Sequence, residues 1–268
     1  MRDSTSVRAN APPQPLGGSR SRGSMGHSVL AALLGSFAGV SAISCSDPVA
    51  VTRGVGPIVQ ERRTLRPVDS IDVKGGIDLS IQVGGAGLEP ASSSSSGRET
   101  LVWIDAPEDL IPLVVIEVRG STLQVRPKNG ARLDPVPTIE VFTSRLSSVV
   151  ADGAGEVRLV IDPAEGRTPA LLSLTSEGAV DFEAKGRVAK LVVRQSGAGD
   201  MHLSDLSALV ADISSSGSGD VWVQASERAS VTLKGACDLY LSGLATVDEQ
   251  VVLGSGKIHR SADPVDEN

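Results

Sequence analysis

The side chains best placed for chemistry form a series. Glu156, Asp181, Asp200, Asp220 and Asp238 each stand three residues after a glycine, at 153, 178, 197, 217 and 235, and Lys257 takes the same place after Gly254. Repeated carboxylates suggest two chemistries: glycoside cleavage by an acid and base pair, or calcium binding. A catalytic pair needs a cleft and a substrate groove, and no stretch marks one. Calcium-binding repeats carry Gly-Gly-x-Gly-x-Asp at a period of about nine residues. Here the acid directly follows the second glycine, the period is about twice as long, and one carboxylate per turn falls short of the roughly 6 to 8 oxygens an ion takes. The simpler role is a cap, in which each Asp accepts a hydrogen bond from its own turn. Neither a metal nor another cofactor is expected.

His202 and His259 occupy one slot three repeats apart, roughly 14 Å at one strand spacing per repeat, too far to share an ion. With so few histidines no Ser-His-Asp grouping can be assembled, and neither a P-loop nor a zinc-ligand spacing is present. No catalytic residue is therefore assigned, and an enzyme is not expected. Cys237 sits in a slot that other repeats fill with glycine, which suits a small buried thiol better than a nucleophile lacking a base.

The elements that position these residues follow from the period. The phrases are Asp152-Gly153-Ala154-Gly155-Glu156, Glu177-Gly178-Ala179-Val180-Asp181, Ser196-Gly197-Ala198-Gly199-Asp200, Ser216-Gly217-Ser218-Gly219-Asp220, Lys234-Gly235-Ala236-Cys237-Asp238 and Leu253-Gly254-Ser255-Gly256-Lys257. After the phrases come alternating runs such as Met201-His202-Leu203, Val221-Trp222-Val223 and Leu239-Tyr240-Leu241, the pattern of a strand with one buried face. Before them lie further β-like runs, such as Leu191-Val192-Val193 and Val231-Thr232-Leu233. A unit of about 19 residues cannot bury its own apolar face, so neighbouring units must stack. The expected fold is all-β, a parallel β-solenoid of about 19-residue coils, with glycines at the corners letting backbones approach closely. Stacked antiparallel hairpins with the same glycines as turns are the alternative. Val180 and Cys237 interrupt the Gly-x-Gly pattern and predict a different turn at their corners.

The phrases Ser-Gly-Ser-Gly-Asp-Val-Trp-Val and Ser-Gly-Ala-Gly-Asp-Met-His-Leu, with Gly75-Gly76-Ile77-Asp78-Leu79-Ser80-Ile81 upstream, resemble the putative auto-transporter adhesin, head GIN domain family of bacterial envelope proteins. The resemblance spans about residues 64–260. It implies the solenoid's right hand and an adhesive or envelope role, and it brings no catalytic residues.

Towards the N-terminus, Arg20 and Arg22 precede the apolar run from Ser28 to Val40, too short to span a bilayer comfortably, so residues 1–44 read as a secretory signal with a long basic n-region. Ala42-Ile43-Ser44-Cys45 resembles a bacterial lipobox, which makes Cys45 the acylated, palmitate-bearing N-terminus of an outer-membrane lipoprotein facing the periplasm or the cell surface. Cleavage after Ala42 is the alternative. Residues 45–63 then form the lipidated N-terminus and a tether, 64–260 the β domain and 261–268 a disordered tail. Within the domain, the serine-rich stretch from Gly84 to Gly97 is a low-complexity loop. The sequence Ala106-Pro107-Glu108-Asp109-Leu110 predicts one helical turn.

Net charge goes from −7 for the chain to −10 once residues 1–44 are removed, which argues against a nucleic-acid partner. The expected partners are the membrane, through the lipid anchor, and a glycan or another envelope protein. One column is singled out as a ligand face: His202, Trp222, Tyr240 and His259 alternate with inward residues in successive repeats, and side chains two apart share a face. Such a ladder can offer flat ring faces to a sugar, or simply stabilise the sheet. Three functions follow, in order: a non-catalytic, adhesin-like envelope lipoprotein that binds a ligand, a purely structural envelope component, and a polysaccharide-acting solenoid enzyme.

Overall fold

The computed structural model describes residues 51–84, 99–162 and 168–262. Residues 1–50, which include the stretch read as a signal and Cys45, most of the serine-rich loop and the last residues of the chain lie outside that set. Among the described residues the regular structure is strand, with two short 3-10 turns and no α-helix.

The strands are β1 (Val51–Arg53), β2 (Ile58–Leu65), β3 (Ser70–Gly76), β4 (Asp78–Val83), β5 (Thr100–Pro107), β6 (Val114–Arg119), β7 (Thr122–Pro127), β8 (Arg132–Asp134), β9 (Thr138–Thr143), β10 (Ser148–Ile161), β11 (Leu171–Gly197), β12 (Met201–Ser215), β13 (Val221–Gly235), β14 (Leu239–Ser242), β15 (Thr246–Gly254) and β16 (Ile258–Ser261). The main sheet has 14 strands, ten of them in the order β16-β14-β13-β12-β11-β10-β4-β9-β5-β2.

From β10 onward neighbouring repeats pair in parallel, one repeat apart. Ser148 to Val160 of β10 are matched with Ser173 to Lys185 of β11 so that Gly153 faces Gly178, and upstream Gly153 faces Gly75 of β3. The alternation read from the sequence maps onto this register. Phe182, Met201, Val221 and Leu239 stand in line across β11 to β14, and each is fully buried. Fully buried side chains in line are what a continuous core between stacked strands requires, each burial being worth about 1.5–3 kcal/mol for a large apolar group.

The glycines act chiefly by absence. A Cβ on Gly153 would lie 2.5 Å from the Gly75 carbonyl oxygen, and those on Gly178, Gly197, Gly217 and Gly254 would collide with the carbonyl of the glycine one repeat earlier. A second column does the same at Gly155, Gly199, Gly219 and Gly256, whose missing Cβ atoms leave room for the carbonyls of Ile77, Val180, Gly199 and Cys237. Val180 and Cys237 stand in this second column in place of glycine, and both are buried.

The ends differ from the middle. At the N-terminal end the ladders turn antiparallel, with β5 pairing β9 and β2 pairing β5, while β6 and β7 form a hairpin around Gly120 (φ 62°). At the C-terminal end the inward slots carry Gln250 opposite Val231 and Arg260 opposite Leu241. Both are exposed, and polar residues suit such a terminal repeat.

Two expectations are corrected here. The stretch read as a tether is already strand from Val51, because β1 pairs β8 and β2 pairs β5 along its length. The helical turn expected at 106–110 is strand through Pro107 and a 3-10 turn only at Ile111–Leu113, where Pro112 occupies its first turn. Asp109 caps instead the chain of the N-terminal segment: its carboxylate accepts the N–H groups of Val55 at 3.0 Å and Gly56 at 3.1 Å. Those two bonds, Val55 first, hold its carboxyl below the usual carboxylate range.

Candidate ligand face

Immediately after each glycine corner, the strand segments place one residue outward between two inward ones. In register across β12, β13, β14 and β16, these outward residues are His202, Trp222, Tyr240 and His259. Their rings stack in one unbroken column: 4.5 Å between the centroids of His202 and Trp222, 5.1 Å between Trp222 and Tyr240, and 4.8 Å between Tyr240 and His259, with planes inclined by 16°, 5° and 12°. The spacing is that of the strands themselves, so the backbone ladder imposes the stack. All four predicted residues are thus brought together.

The stack differs from the expected one in what it offers. Each inner ring spends both flat faces on its neighbours, leaving its edge at the surface, and only the ends have a face not covered by a ring. His202, Trp222 and Tyr240 are half-buried and His259 is exposed.

Beside the rings, two residues earlier on each strand, runs the carboxylate series. Its members do not cap their own turns. Asp181 Oδ1 accepts the N–H of Asp200 at 2.9 Å, Asp200 that of Asp220 at 2.8 Å, Asp220 that of Asp238 at 2.8 Å and Asp238 that of Lys257 at 2.8 Å. Each of these four Asp carboxylates fastens the corner of the next repeat, whereas Glu156 pairs with Arg158. The series reaches further upstream than the six phrases, since Asp78 accepts the N–H of Glu156 at 3.1 Å. Asp78 stands three residues after Gly75, so the signal for it was present in the chain. Asp238 also meets His259 Nε2 at 3.3 Å, and the Lys257 N–H, then the His259 ring, hold its carboxyl below the usual range.

A buried polar layer lies inside the same corners, and sequence patterning misses it. Ser176, Gln195 and Ser215 fill inward slots. Ser176 Oγ donates to the Val180 carbonyl at 3.1 Å, Gln195 Nε2 donates to the Gly199 carbonyl, and Ser215 Oγ donates to Gln195 Oε1 at 2.7 Å. The corner carbonyls are satisfied from within the core, as buried backbone groups must be. Cys237 is buried and free.

Among the described residues no three His, Cys, Asp or Glu side chains gather to hold a metal. Asp78, Asp181, Asp200, Asp220 and Asp238 each spend an oxygen on a backbone donor, which makes them architectural first.

The fold matches known structures. It superposes on a protein described as a putative adhesin from Bacteroides fragilis NCTC 9343 with a TM-score of 0.58 and 17% identity, over 78% of this chain and 100% of that one. A weaker superposition is to a putative adhesin from Parabacteroides merdae ATCC 43184, with a TM-score of 0.46, 16% identity and coverage of 79% and 99%. At such identities the likeness speaks to fold alone. Among curated proteins no sequence matches. A family model matches residues 93–245, more than half of the chain and the whole run of glycine corners from 153 to 235, and by that match the chain belongs to the putative auto-transporter adhesin, head GIN domain family.

Proposed function

We propose that this protein is a non-catalytic binding component of the bacterial envelope, held by a lipid on Cys45, whose coils wind as a right-handed β-solenoid and present the ring ladder to a ligand. The parallel, one-repeat registers support the solenoid reading, and membership of an adhesin family supports the envelope setting. A single observation carries the function: one Trp, the chain's one Tyr and two of its three His stand in one column, at the surface, beside a row of carboxylates. Ring edges carrying N–H and O–H groups next to carboxylate acceptors match the hydroxyl pattern of a sugar.

A purely structural role is the second reading, and the mutual covering of ring faces favours it. Replacing Trp222 and Tyr240 together by Ser separates the two. If the ladder recognises a ligand, binding of the protein to cells or to a glycan array is lost while the melting temperature moves by only a few degrees. A large fall in melting temperature with binding intact makes the ladder structural.

A further inference from the structure

The ladder is one end of a longer row. Following the same register upstream, His202 faces Glu183, Glu183 faces Arg158 and Arg158 faces Ser80. Ser80 faces Glu140, Glu140 faces Trp103 and Trp103 faces Arg62. The row therefore crosses all ten strands of the path from β16 to β2. At one strand spacing per step it is about 43 Å long.

Its two ends are alike in chemistry. Trp103, half-buried on β5, is the other Trp of the chain, and the Arg62 guanidinium lies over its ring at 5.6 Å. The centre is charged but balanced: Arg158 pairs with Glu156 at 2.5 Å and with Glu183 at 3.5 Å, and Lys185 pairs with Glu183 at 2.9 Å. Alongside, the carboxylate row continues past Asp78 to Thr138 and Asp105, again in register. Each rung from β5 to β14 thus presents one side-chain oxygen beside one row residue.

We propose that this row is a single track for one linear, non-acidic, β-linked polysaccharide lying across the strands, with Trp103 as a second aromatic station about 29 Å from Trp222. The inference rests on the ladder being a recognition face. Three features select the occupant. The oxygens recur at one strand spacing, about 4.8 Å. An extended β-1,4-linked chain turns each unit over relative to the last, so one face recurs about every 10 Å, close to two strand spacings, and every second unit meets an equivalent acceptor. An extended peptide repeats on one face about every 6.7 Å and falls out of step. The row of carboxylates repels an acidic polymer.

The test titrates the purified full chain with β-1,4-linked glucose and glucosamine oligomers from dimer to octamer, with an octamer of galacturonate as the acidic control. Affinity is expected to climb with length, the octamer binding roughly tenfold tighter than the trimer, as a second aromatic station predicts. Trp103→Ser should bring the octamer down to the trimer's affinity without changing the trimer, and Trp103→Phe should restore most of the difference. A plateau at the trimer, or an octamer indifferent to Trp103→Ser, overturns the track. In that case the ladder reading survives if the Trp222 and Tyr240 substitutions still abolish trimer binding. Failure of every non-acidic oligomer to bind, or tighter binding of galacturonate, overturns the ligand class.

Discussion

Gly217→Ala isolates the force that shapes the corners. Gly217 has no left-handed φ, so its cost is steric: an added Cβ would strike the Gly197 carbonyl and lie 2.7 Å from Gly197 N and 2.8 Å from its carbonyl carbon. The obstacle is backbone inside a parallel ladder and cannot rotate away. Relief requires opening the corner, which stretches the 2.8 Å bond from Ser218 N to the Gly197 carbonyl and the 3.2 Å bond from Ala236 N to the Gly217 carbonyl. Overpacking of this kind plus weakened hydrogen bonds comes to about 3 kcal/mol. Gly120→Ala is the comparison. Gly120 has φ 62° and nothing within 4 Å of a Cβ, so only the left-handed backbone resists, at about 1 kcal/mol. Urea unfolding followed by circular dichroism, with equal slopes in the two variants, measures both. If Gly217→Ala is no more destabilising than Gly120→Ala, close approach of backbones is not what the glycine column is for.

Gln195→Leu should cost about 2 kcal/mol by stranding the Gly199 carbonyl and the Ser215 hydroxyl, and adding Ser215→Ala should recover part of that in the same unfolding assay. Because its partners depress the Asp238 carboxyl, the stability it contributes is full above the unfolded carboxylate value of about 4 and is lost as pH falls through the lower folded value. Asp238→Asn should therefore flatten part of the acid limb of a stability-against-pH curve, and an unchanged limb would refute the pairing. Cys45→Ala should move the protein out of the membrane fraction and abolish labelling by a palmitate analogue, and persistent labelling ends the lipoprotein proposal.

Much was legible in the residues because period is a one-dimensional signal. The glycine spacing and the alternation after each phrase were enough for an all-β chain of mutually dependent repeats, for the inward column of Met201, Val221 and Leu239, and for the assembly of His202, Trp222, Tyr240 and His259 in one column. Tertiary structure decided what depends on which atoms meet. The rings cover one another because strand spacing and ring stacking distance coincide, and no sequence pattern states how a ring is turned. Each Asp reaches the corner of the next repeat instead of its own, because the parallel register brings that N–H within reach of its carboxylate. Trp103 joins the row only through antiparallel pairing of β5 with β9. It lies outside the glycine phrases, and its place is set by a long-range contact that local periodicity cannot encode.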